Sequence, residues 1–121
     1  VAGADAILGG WHSRMALDTD PDGRTPRRSY IGPQALARTL AHVITADAPP
    51  PVLHIAAPGI VEMGALLDAA ALPWRATAPT GPVLWDVGLN TDALALLAPF
   101  APQDSTAAGI VADWHHARDP K

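Results

Sequence analysis

Arg27–Ala37 reads RRSYIGPQALA, and this stretch decides the predicted fold. It contains a pair of cations, a short β-prone run, a Gly-Pro break and the first turn of an amphipathic helix. Proline is favoured at the first position of a helix, where its missing N–H group costs nothing, so we predict a helix that begins at Pro33. A cation on a strand that ends beside a helix start is a favourable place for an anionic ligand, because the guanidinium and the free N–H groups both attract negative charge.

The helix that follows predicts the fold class. Its apolar residues recur at spacings of three and four, as an amphipathic helix requires, and they are Leu36, Leu40, Val43 and Ile44. Pro49–Pro51 ends this helix. Val52–Ala56 is nearly continuous in apolar residues, so we predict a strand that is buried on both faces of a parallel sheet, with His54 as a core histidine. A helix, a break and such a strand form the second half of a βαβ unit, and we therefore predict an α/β fold.

Further elements are predicted along the rest of the chain. They begin with a helix over residues 61–71 that has Met63, Leu66, Leu67 and Ala70 facing inward, followed by short strands over Pro73–Thr77 and Val83–Leu89. A short helix capped by Thr91 or Asp92 ends near Ala98, and a last helix capped by Ser105 or Thr106 has Ile110, Val111 and Trp114 on one face. Trp74, Trp85 and Phe100 are expected in the core.

Composition limits the classes of function. The chain has 121 residues, of which 49% are hydrophobic and 17% charged, so it is long and apolar enough for one core. The net charge of −4 gives no basic face for nucleic acid or for an anionic membrane, and we expect neither as a partner. The apolar runs are shorter than the ~20 residues of a membrane helix. Because the chain has no cysteine, we expect a cytoplasmic protein without disulfides.

Four segments, in order, resemble the NAD(P)-dependent epimerase/dehydratase family, the extended short-chain dehydrogenases/reductases. Val1–Gly3 is similar to the end of the family's Asn-Val-Tyr-Gly-Pro segment, and Arg28–Ile31 with Leu36 and Ala37 is similar to Arg-Asp-Tyr/Phe-Ile-x-Val-x-Asp-x-Ala. Val52–Pro58 is similar to the Tyr-Asn-Val-Gly strand and its turn. Asp92–Pro102 with Trp114 is similar to the Asp-x-x-Lys-Ala segment and the terminal Glu-Trp helix. Each motif is short, and the resemblance depends on their order and spacing.

The resemblance implies that the chain is the C-terminal part of a Rossmann-type enzyme. Residues 1–32 would hold the end of a core strand and a substrate-side loop, residues 33–58 the edge helix and strand of the nucleotide domain, residues 59–118 the small substrate-binding domain, and residues 119–121 a tail. The parent would transfer a hydride between NAD or NADP and a sugar-like, and in some members nucleotide-linked, small molecule. The chain starts within an apolar run, which is typical of a truncated chain, although a processed protein would look the same.

The motifs of cofactor binding and catalysis are missing from the sequence. It contains no G-x-x-G-x-x-G or G-x-G-x-x-G after a strand, so we expect no cofactor to bind this chain alone. The family's Tyr-x-x-x-Lys pair is also missing, because Gln34 stands four residues after Tyr30. By resemblance both motifs would precede Val1, and we expect this chain alone to be inactive and to contain no catalytic residue.

Three residues are predicted to contact substrate. Arg28 matches the family arginine that faces substrate phosphate; the alternative is a surface cation or a partner of an acidic residue. Trp11 and His12 follow the family's glycine segment, where substrate loops arise, and the alternative for Trp11 is a core or interface anchor. Arg27, by strand alternation, is expected to point the other way into solvent.

The chain departs from the family near its predicted substrate site. Ser29 replaces an acidic residue, and Pro79–Pro82 lacks the second arginine with which many members hold a diphosphate. A smaller or less charged carbonyl or hydroxyl compound is therefore a second possible substrate.

Two clusters look like metal sites but are predicted to be structural. Asp18–Gly23 lacks the glycine register and the distal Glu of a calcium loop, so we predict a solvated turn. His115 and His116 point about 100° apart on a helix and cannot chelate one ion well, so with Asp113 they are predicted to form a solvated helix end.

Two other functions remain open from the sequence. One is a non-catalytic ligand-binding or regulatory domain of related fold, and the other is an assembly domain whose alanine-rich faces bury against a partner. In a fragment of the epimerase/dehydratase type, the helix at Pro33 and the strand at Val52 would be cut from their neighbours. We therefore expect self-association that covers an open sheet edge and an apolar helix face.

Overall fold

Short strands are interspersed with helices along residues 3–118, the part of the chain that the computed structural model describes. The helices are α1 (Asp5–Leu8), α2 (Pro33–Ile44), α3 (Met63–Ala69), α4 (Asp92–Ala95) and α5 (Ala107–Arg118), with a 3₁₀ turn at Pro102–Ser105 before α5. The strands are β1 (Ala16–Asp18), β2 (Arg27–Arg28), β3 (Val61–Glu62), β4 (Arg75–Thr77) and β5 (Asp86–Val87). The chain is therefore a small mixed α/β domain, as the sequence predicts at this level.

The strands form two small sheets. β1 pairs with β4 in parallel, with Leu17 opposite Ala76. In the second sheet β2 is central: it runs antiparallel to β3 and parallel to β5, so that Arg27 lies opposite both Glu62 and Asp86. The predicted strand over Pro73–Thr77 is confirmed in its last three residues. The strand predicted over Val83–Leu89 is much shorter, because only two of its residues pair with β2.

The main core lies between α3 and α5 and reaches the amino-terminal segment. Its buried residues include Leu66 and Leu67 from α3 and Ile110, Val111 and Trp114 from α5. The predicted inward faces of both helices are therefore confirmed. The Trp114 indole N–H also donates a hydrogen bond of 2.9 Å to the Asp5 carboxylate, which ties α5 to α1.

Local side-chain hydrogen bonds form at the starts of α5 and α4, and only the one at α5 is made by a predicted capping residue. Thr106 caps α5, because its Oγ1 accepts a hydrogen bond from the Gly109 N–H at 3.0 Å. At α4 neither Thr91 nor Asp92 caps with its side chain; instead the Asn90 side chain accepts the Asp92 N–H at 2.9 Å. Thr91 is therefore the N-cap residue by position, as predicted, but the side-chain hydrogen bond predicted for the cap is wrong. The helix makes one turn and ends at Ala95.

The end of α3 is a Schellman motif with alanine in the left-handed position. Ala71 has φ +56°, its N–H bonds the Asp68 carbonyl at 3.0 Å, and the Leu72 N–H bonds the Leu67 carbonyl at 3.0 Å. Glycine is the usual residue at this position because a Cβ is strained there.

The strand predicted over Val52–Ala56 is wrong. These residues form bends and loop, Val52 is 76% exposed, and His54 is exposed rather than in the core. The prolines on either side of the segment have no N–H to give to a ladder. Its end is held by a single backbone hydrogen bond, from the Ala57 N–H to the Tyr30 carbonyl at 2.9 Å.

A second, smaller core lies under α2. Ile31, Ala35 and Ala56 are buried there, with Leu36, Ile55 and Phe100 packed against them. The helix buries Ala35 and Thr39, whereas Leu40 is 40% exposed and Ile44 is 81% exposed. Much of the apolar face that the spacing predicts therefore has no cover within residues 3–118.

Some predictions concern residues or boundaries that the structure does not decide. The resemblance of Val1 and Ala2 to a family strand, and the tail Asp119–Lys121, lie outside the described residues. The division into domains stays a prediction. Among the helices of residues 3–118, none has the length and apolar character needed to cross a membrane.

Candidate functional site

A cavity of about 480 Å³ lies between α1, β2, α3 and β5. Most of its wall is apolar, and its polar lining consists of three consecutive residues at and after β2. The lining residues are Gly3, Ala6, Ile7, Met15, Arg28, Ser29, Tyr30, Met63, Val87 and Leu89. This volume falls within the range of about 300–1,000 Å³ that is usual for small-molecule sites.

Arg28 is the cation of this cavity. Its Nη1 donates hydrogen bonds to the Arg27 carbonyl at 2.8 Å and to the Trp85 carbonyl at 3.2 Å. These bonds use one end of the guanidinium fork, and no carboxylate of residues 3–118 lies within 4.0 Å of Arg28. A half-buried guanidinium with donors left for an anion is thus present where the sequence predicts it. Its contact with substrate stays a prediction.

Arg27 points away from the cavity. The sequence predicts that it is solvated, but its guanidinium has a charged partner. Its guanidinium forms a bidentate ion pair with Asp86, with Nε and Nη2 donating to the two carboxylate oxygens at 2.8 and 2.6 Å. This hydrogen bond lowers the pKa of Asp86 below its ordinary value and raises the pKa of Arg27. The two residues lie 59 positions apart, so only the pairing of β2 with β5 brings them together.

The wall formed by β5 and the residues after it is fixed from β2. The Ser29 hydroxyl accepts a hydrogen bond of 2.8 Å from the Leu89 N–H, and the Arg27 N–H bonds the Trp85 carbonyl at 2.6 Å. Ser29 is only 8% exposed. The serine that departs from the family pattern therefore positions Leu89 against the cavity, a role that the sequence does not reveal.

Tyr30 supplies a neutral hydroxyl beside Arg28. Its side chain is 8% exposed, and burial raises its pKa, although the positive charge of Arg28 partly opposes this rise. Its hydroxyl forms no hydrogen bond with any of residues 3–118, and it is not sealed from solvent. A phenol in this state is a hydrogen-bond donor at neutral pH.

Trp11 and His12, the other predicted substrate contacts, do not line this cavity. The Trp11 indole N–H donates to the Pro73 carbonyl at 2.8 Å, and its ring packs against the main core. The His12 ring is exposed, and its Nδ1 accepts the Arg14 N–H at 3.2 Å. The contacts of Trp11 are those of an anchor between the α1–β1 loop and the segment after α3, and any substrate contact of the two residues stays a prediction.

The helix start at Pro33 is already occupied by a carboxylate of the chain itself. Asp113, on α5, accepts the Gln34 N–H at 2.8 Å and the Ala35 N–H at 3.0 Å. The prediction of a ligand site at this helix start is therefore wrong, because the N–H groups that would hold an anion are satisfied internally. The prediction that Asp113 belongs to a solvated helix end is wrong for the same reason.

The other acidic and histidine clusters have internal partners. In the turn at Asp18–Gly23, the Asp20 carboxylate accepts the Asp22 and Arg24 N–H groups, both at 2.9 Å. The His115 ring lies 5.1 Å from the Trp114 ring, and Arg118 lies 4.5 Å above the same indole. Within residues 3–118 no three His, Cys, Asp or Glu side chains are grouped to hold a metal ion.

Comparisons of the chain with protein-family models, with curated proteins and with solved structures find no match. The structure itself supports the mixed α/β class. The family resemblance therefore stays a prediction that depends on the residues quoted for it.

Proposed function

We propose that the chain is the C-terminal substrate-binding portion of an NAD(P)-dependent epimerase/dehydratase-type enzyme that acts on a small molecule. In this proposal the chain binds and orients substrate, while the cofactor and the acid/base pair are supplied by preceding residues of the parent. NAD or NADP would supply the hydride chemistry in that parent.

One observation supports the proposal most strongly: Arg28 lies at a cavity of ligand size. The family resemblance gives this arginine a role in substrate binding, and its guanidinium faces a space rather than a carboxylate of residues 3–118. Cations in such an environment retain donors for a ligand, whereas a structural arginine is normally paired.

The remaining residues of the cavity fit binding better than catalysis. Tyr30 is the one tyrosine of the chain and has no lysine partner four residues on. Burial raises its pKa, whereas a catalytic tyrosine base needs a lowered pKa. The chain alone is therefore proposed to be inactive.

The coding sequence upstream of Val1 tests this proposal. We expect an Asn immediately before Val1, Tyr-x-x-x-Lys some tens of residues earlier, and a glycine-rich dinucleotide motif nearer the start. An initiator Met directly before Val1 would refute it. In calorimetry, NADH and NADPH should not bind the chain alone, and strong binding of either would also count against the proposal.

Kinetics of the full-length parent would then test the role of Arg28. Arg28→Met should raise KM for the substrate with a smaller change in kcat, because the arginine binds substrate and does not react. Arg75→Met is the matched control, since Arg75 is exposed on β4 and does not line the cavity. Equal effects of both substitutions would argue against a substrate contact.

The exposed apolar residues favour an alternative, a non-catalytic assembly domain. Leu40, Ile44 and Val52 are 40%, 81% and 76% exposed, respectively. This second candidate predicts concentration-dependent association of the chain, measured by light scattering. A monomer at every concentration would eliminate it and would also count against the self-association expected of the fragment, whereas the substitutions at Arg28 test substrate binding separately.

A further inference from the structure

The cavity at Arg28 combines one cation with walls that are mostly apolar. Ala6 and Ile7 come from α1, and Val87 and Leu89 come from β5 and the residues after it. Met15 and Met63 complete the apolar wall. Methionine side chains are flexible and polarisable, so they adapt to an apolar ligand of irregular shape.

The charge of the cavity fits a ligand with a single negative charge. Among residues 3–118, Arg28 is the only cation that lines it, since Arg27 is turned away and neutralised by Asp86. A diphosphate carries at least two negative charges and is normally held by more than one cation.

The walls of the cavity disfavour a ligand with many hydroxyl groups. Apart from Arg28, the polar side chains that line it are Ser29 and Tyr30, and the Ser29 hydroxyl already accepts a hydrogen bond from the Leu89 N–H, which leaves it one O–H donor. Most hydroxyls of a sugar would therefore lose water without gaining a partner, which is unfavourable. Burial of an apolar ligand body breaks no hydrogen bond to water, and the hydrophobic effect favours it.

We propose that this cavity binds a small molecule with one carboxylate and an apolar body. The carboxylate accepts hydrogen bonds from the free end of the Arg28 guanidinium and from the Tyr30 hydroxyl, and the apolar body lies against Met15, Met63 and Leu89. This inference rests on the proposed function only in taking the cavity as the substrate site.

Tyr30 adds a second hydrogen-bond donor for the carboxylate beside Arg28 in this arrangement. A phenol is protonated at neutral pH, and burial shifts the pKa of Tyr30 further upward, so the hydroxyl can donate to an anion without adding charge. A cationic head group would be repelled by the guanidinium, and a neutral hydroxyl would accept hydrogen bonds without the charge assistance that a carboxylate provides.

Calorimetric titration of the 121-residue chain with decanoate tests the inference directly. The comparison probes are 1-decanol and decylamine, which share the apolar body, and UDP-glucose, which carries a diphosphate and a sugar. We expect decanoate to bind at least about tenfold more tightly than each of the other three, since a charge-assisted hydrogen-bond pair provides about this discrimination.

Substitutions then locate the binding site. We expect Arg28→Met to weaken decanoate binding about tenfold or more, and Tyr30→Phe to weaken it about threefold to tenfold. Arg75→Met removes the same charge from an exposed site and should leave the affinity unchanged. Ala6→Leu fills the cavity from an exposed position on α1 and should therefore reduce binding. This variant still tests the site if the Arg28→Met protein does not fold.

The results that overturn the inference differ from those that overturn the proposed function. Failure of decanoate to bind, equal binding of decanoate and 1-decanol, tighter binding of UDP-glucose, or full affinity in Ala6→Leu would each overturn the carboxylate site. Binding of UDP-glucose that depends on Arg28 would overturn the carboxylate site and leave the epimerase/dehydratase proposal in place. Conversely, decanoate binding with the expected dependence, in a gene that lacks Tyr-x-x-x-Lys, would keep the site and refute the proposed enzyme.

Discussion

The contact between Asp113 and the start of α2 gives a sharp prediction about stability. The carboxylate accepts two backbone hydrogen bonds, from Gln34 at 2.8 Å and Ala35 at 3.0 Å. Gly32, the residue before the helix, offers no side chain for this purpose. Asp113→Ala would leave both N–H groups without their acceptor and would remove a negative charge from the positive end of the helix dipole.

The expected loss can be estimated from this geometry. An N-cap side chain contributes about 0.5–2 kcal/mol, and a hydrogen bond to a charged group about 1.5–3 kcal/mol. Asp113 is only partly buried, so water can replace some of the lost bonding. We therefore expect a loss of about 2 kcal/mol, which is about a 30-fold fall in the folding equilibrium constant. For 121 residues at about 2.1 cal/mol/K each, this loss lowers Tm by about 8 °C.

Urea unfolding, followed by far-UV circular dichroism and tryptophan fluorescence, measures the free energy of unfolding. Asp113→Asn keeps an acceptor oxygen but loses the charge, so its loss should be about half that of Asp113→Ala. Asp22→Ala is the control, because Asp22 is exposed in a turn, and it should change the free energy by less than about 0.5 kcal/mol.

A double-mutant cycle with Gly32 separates this contact from a general effect. A Cβ at Gly32 would collide with the Asp113 carboxylate, although the backbone there, with φ −71° and ψ 155°, accepts alanine. Gly32→Ala should therefore be costly in the native chain and much less costly in Asp113→Ala. Additive effects, or a loss in Asp113→Ala no larger than in Asp22→Ala, would refute the reasoning.

Three further predictions concern other parts of the fold. Ala71→Gly should raise the free energy of unfolding by about 0.5–1 kcal/mol, because glycine relieves the left-handed strain, whereas the control Ala69→Gly, within α3, should lower it. Because Arg27 lowers the pKa of Asp86, their pair stabilises the fold above the unfolded-state pKa of an aspartate, and this contribution is lost as pH falls through the lower folded pKa. Asp86→Asn should therefore show a shallower loss of stability between about pH 5 and pH 2 than the native chain, and an identical acid limb would contradict this. Ile44→Lys should change the free energy of unfolding by less than about 0.5 kcal/mol, since Ile44 is 81% exposed, but should reduce any self-association seen in light scattering; unchanged association would exclude this face as the contact.

Several elements follow directly from the local sequence. Pro33 begins α2, Thr106 caps α5, and the Asp-Pro-Asp-Gly sequence at Asp20–Gly23 forms a tight turn with Gly23 at φ +81°. The inward residues of α3 and α5 also follow from their spacing. In each case the signal lies in a short stretch, because the residue at a helix start, the residues of a tight turn and the spacing of apolar residues along a helix all involve positions within about four of each other.

The strand predicted at Val52–Ala56 shows where this reasoning fails. An apolar run has the composition of a buried strand, but a strand exists only if a partner supplies the other half of its hydrogen bonds. Tyr30 provides one backbone bond to Ala57, and the prolines at either end of the run prevent a longer ladder. The sequence predicts the apolar character correctly and the strand incorrectly.

The sequence by itself determined that the chain forms an α/β domain, where its longer helices begin, and that Arg28 is a candidate contact for a ligand. Only the tertiary structure decided that Arg28 lines a cavity with mostly apolar walls, that Arg27 is paired with Asp86, and that Asp113 fills the helix start at Pro33. The physical reason is separation along the chain. Asp86 lies 59 residues from Arg27, and Asp113 lies 79 residues from Gln34, so no local pattern records that they meet. Helix starts and turns depend on neighbouring residues and can be predicted from the sequence, whereas the partner of each charge depends on the packing of distant segments.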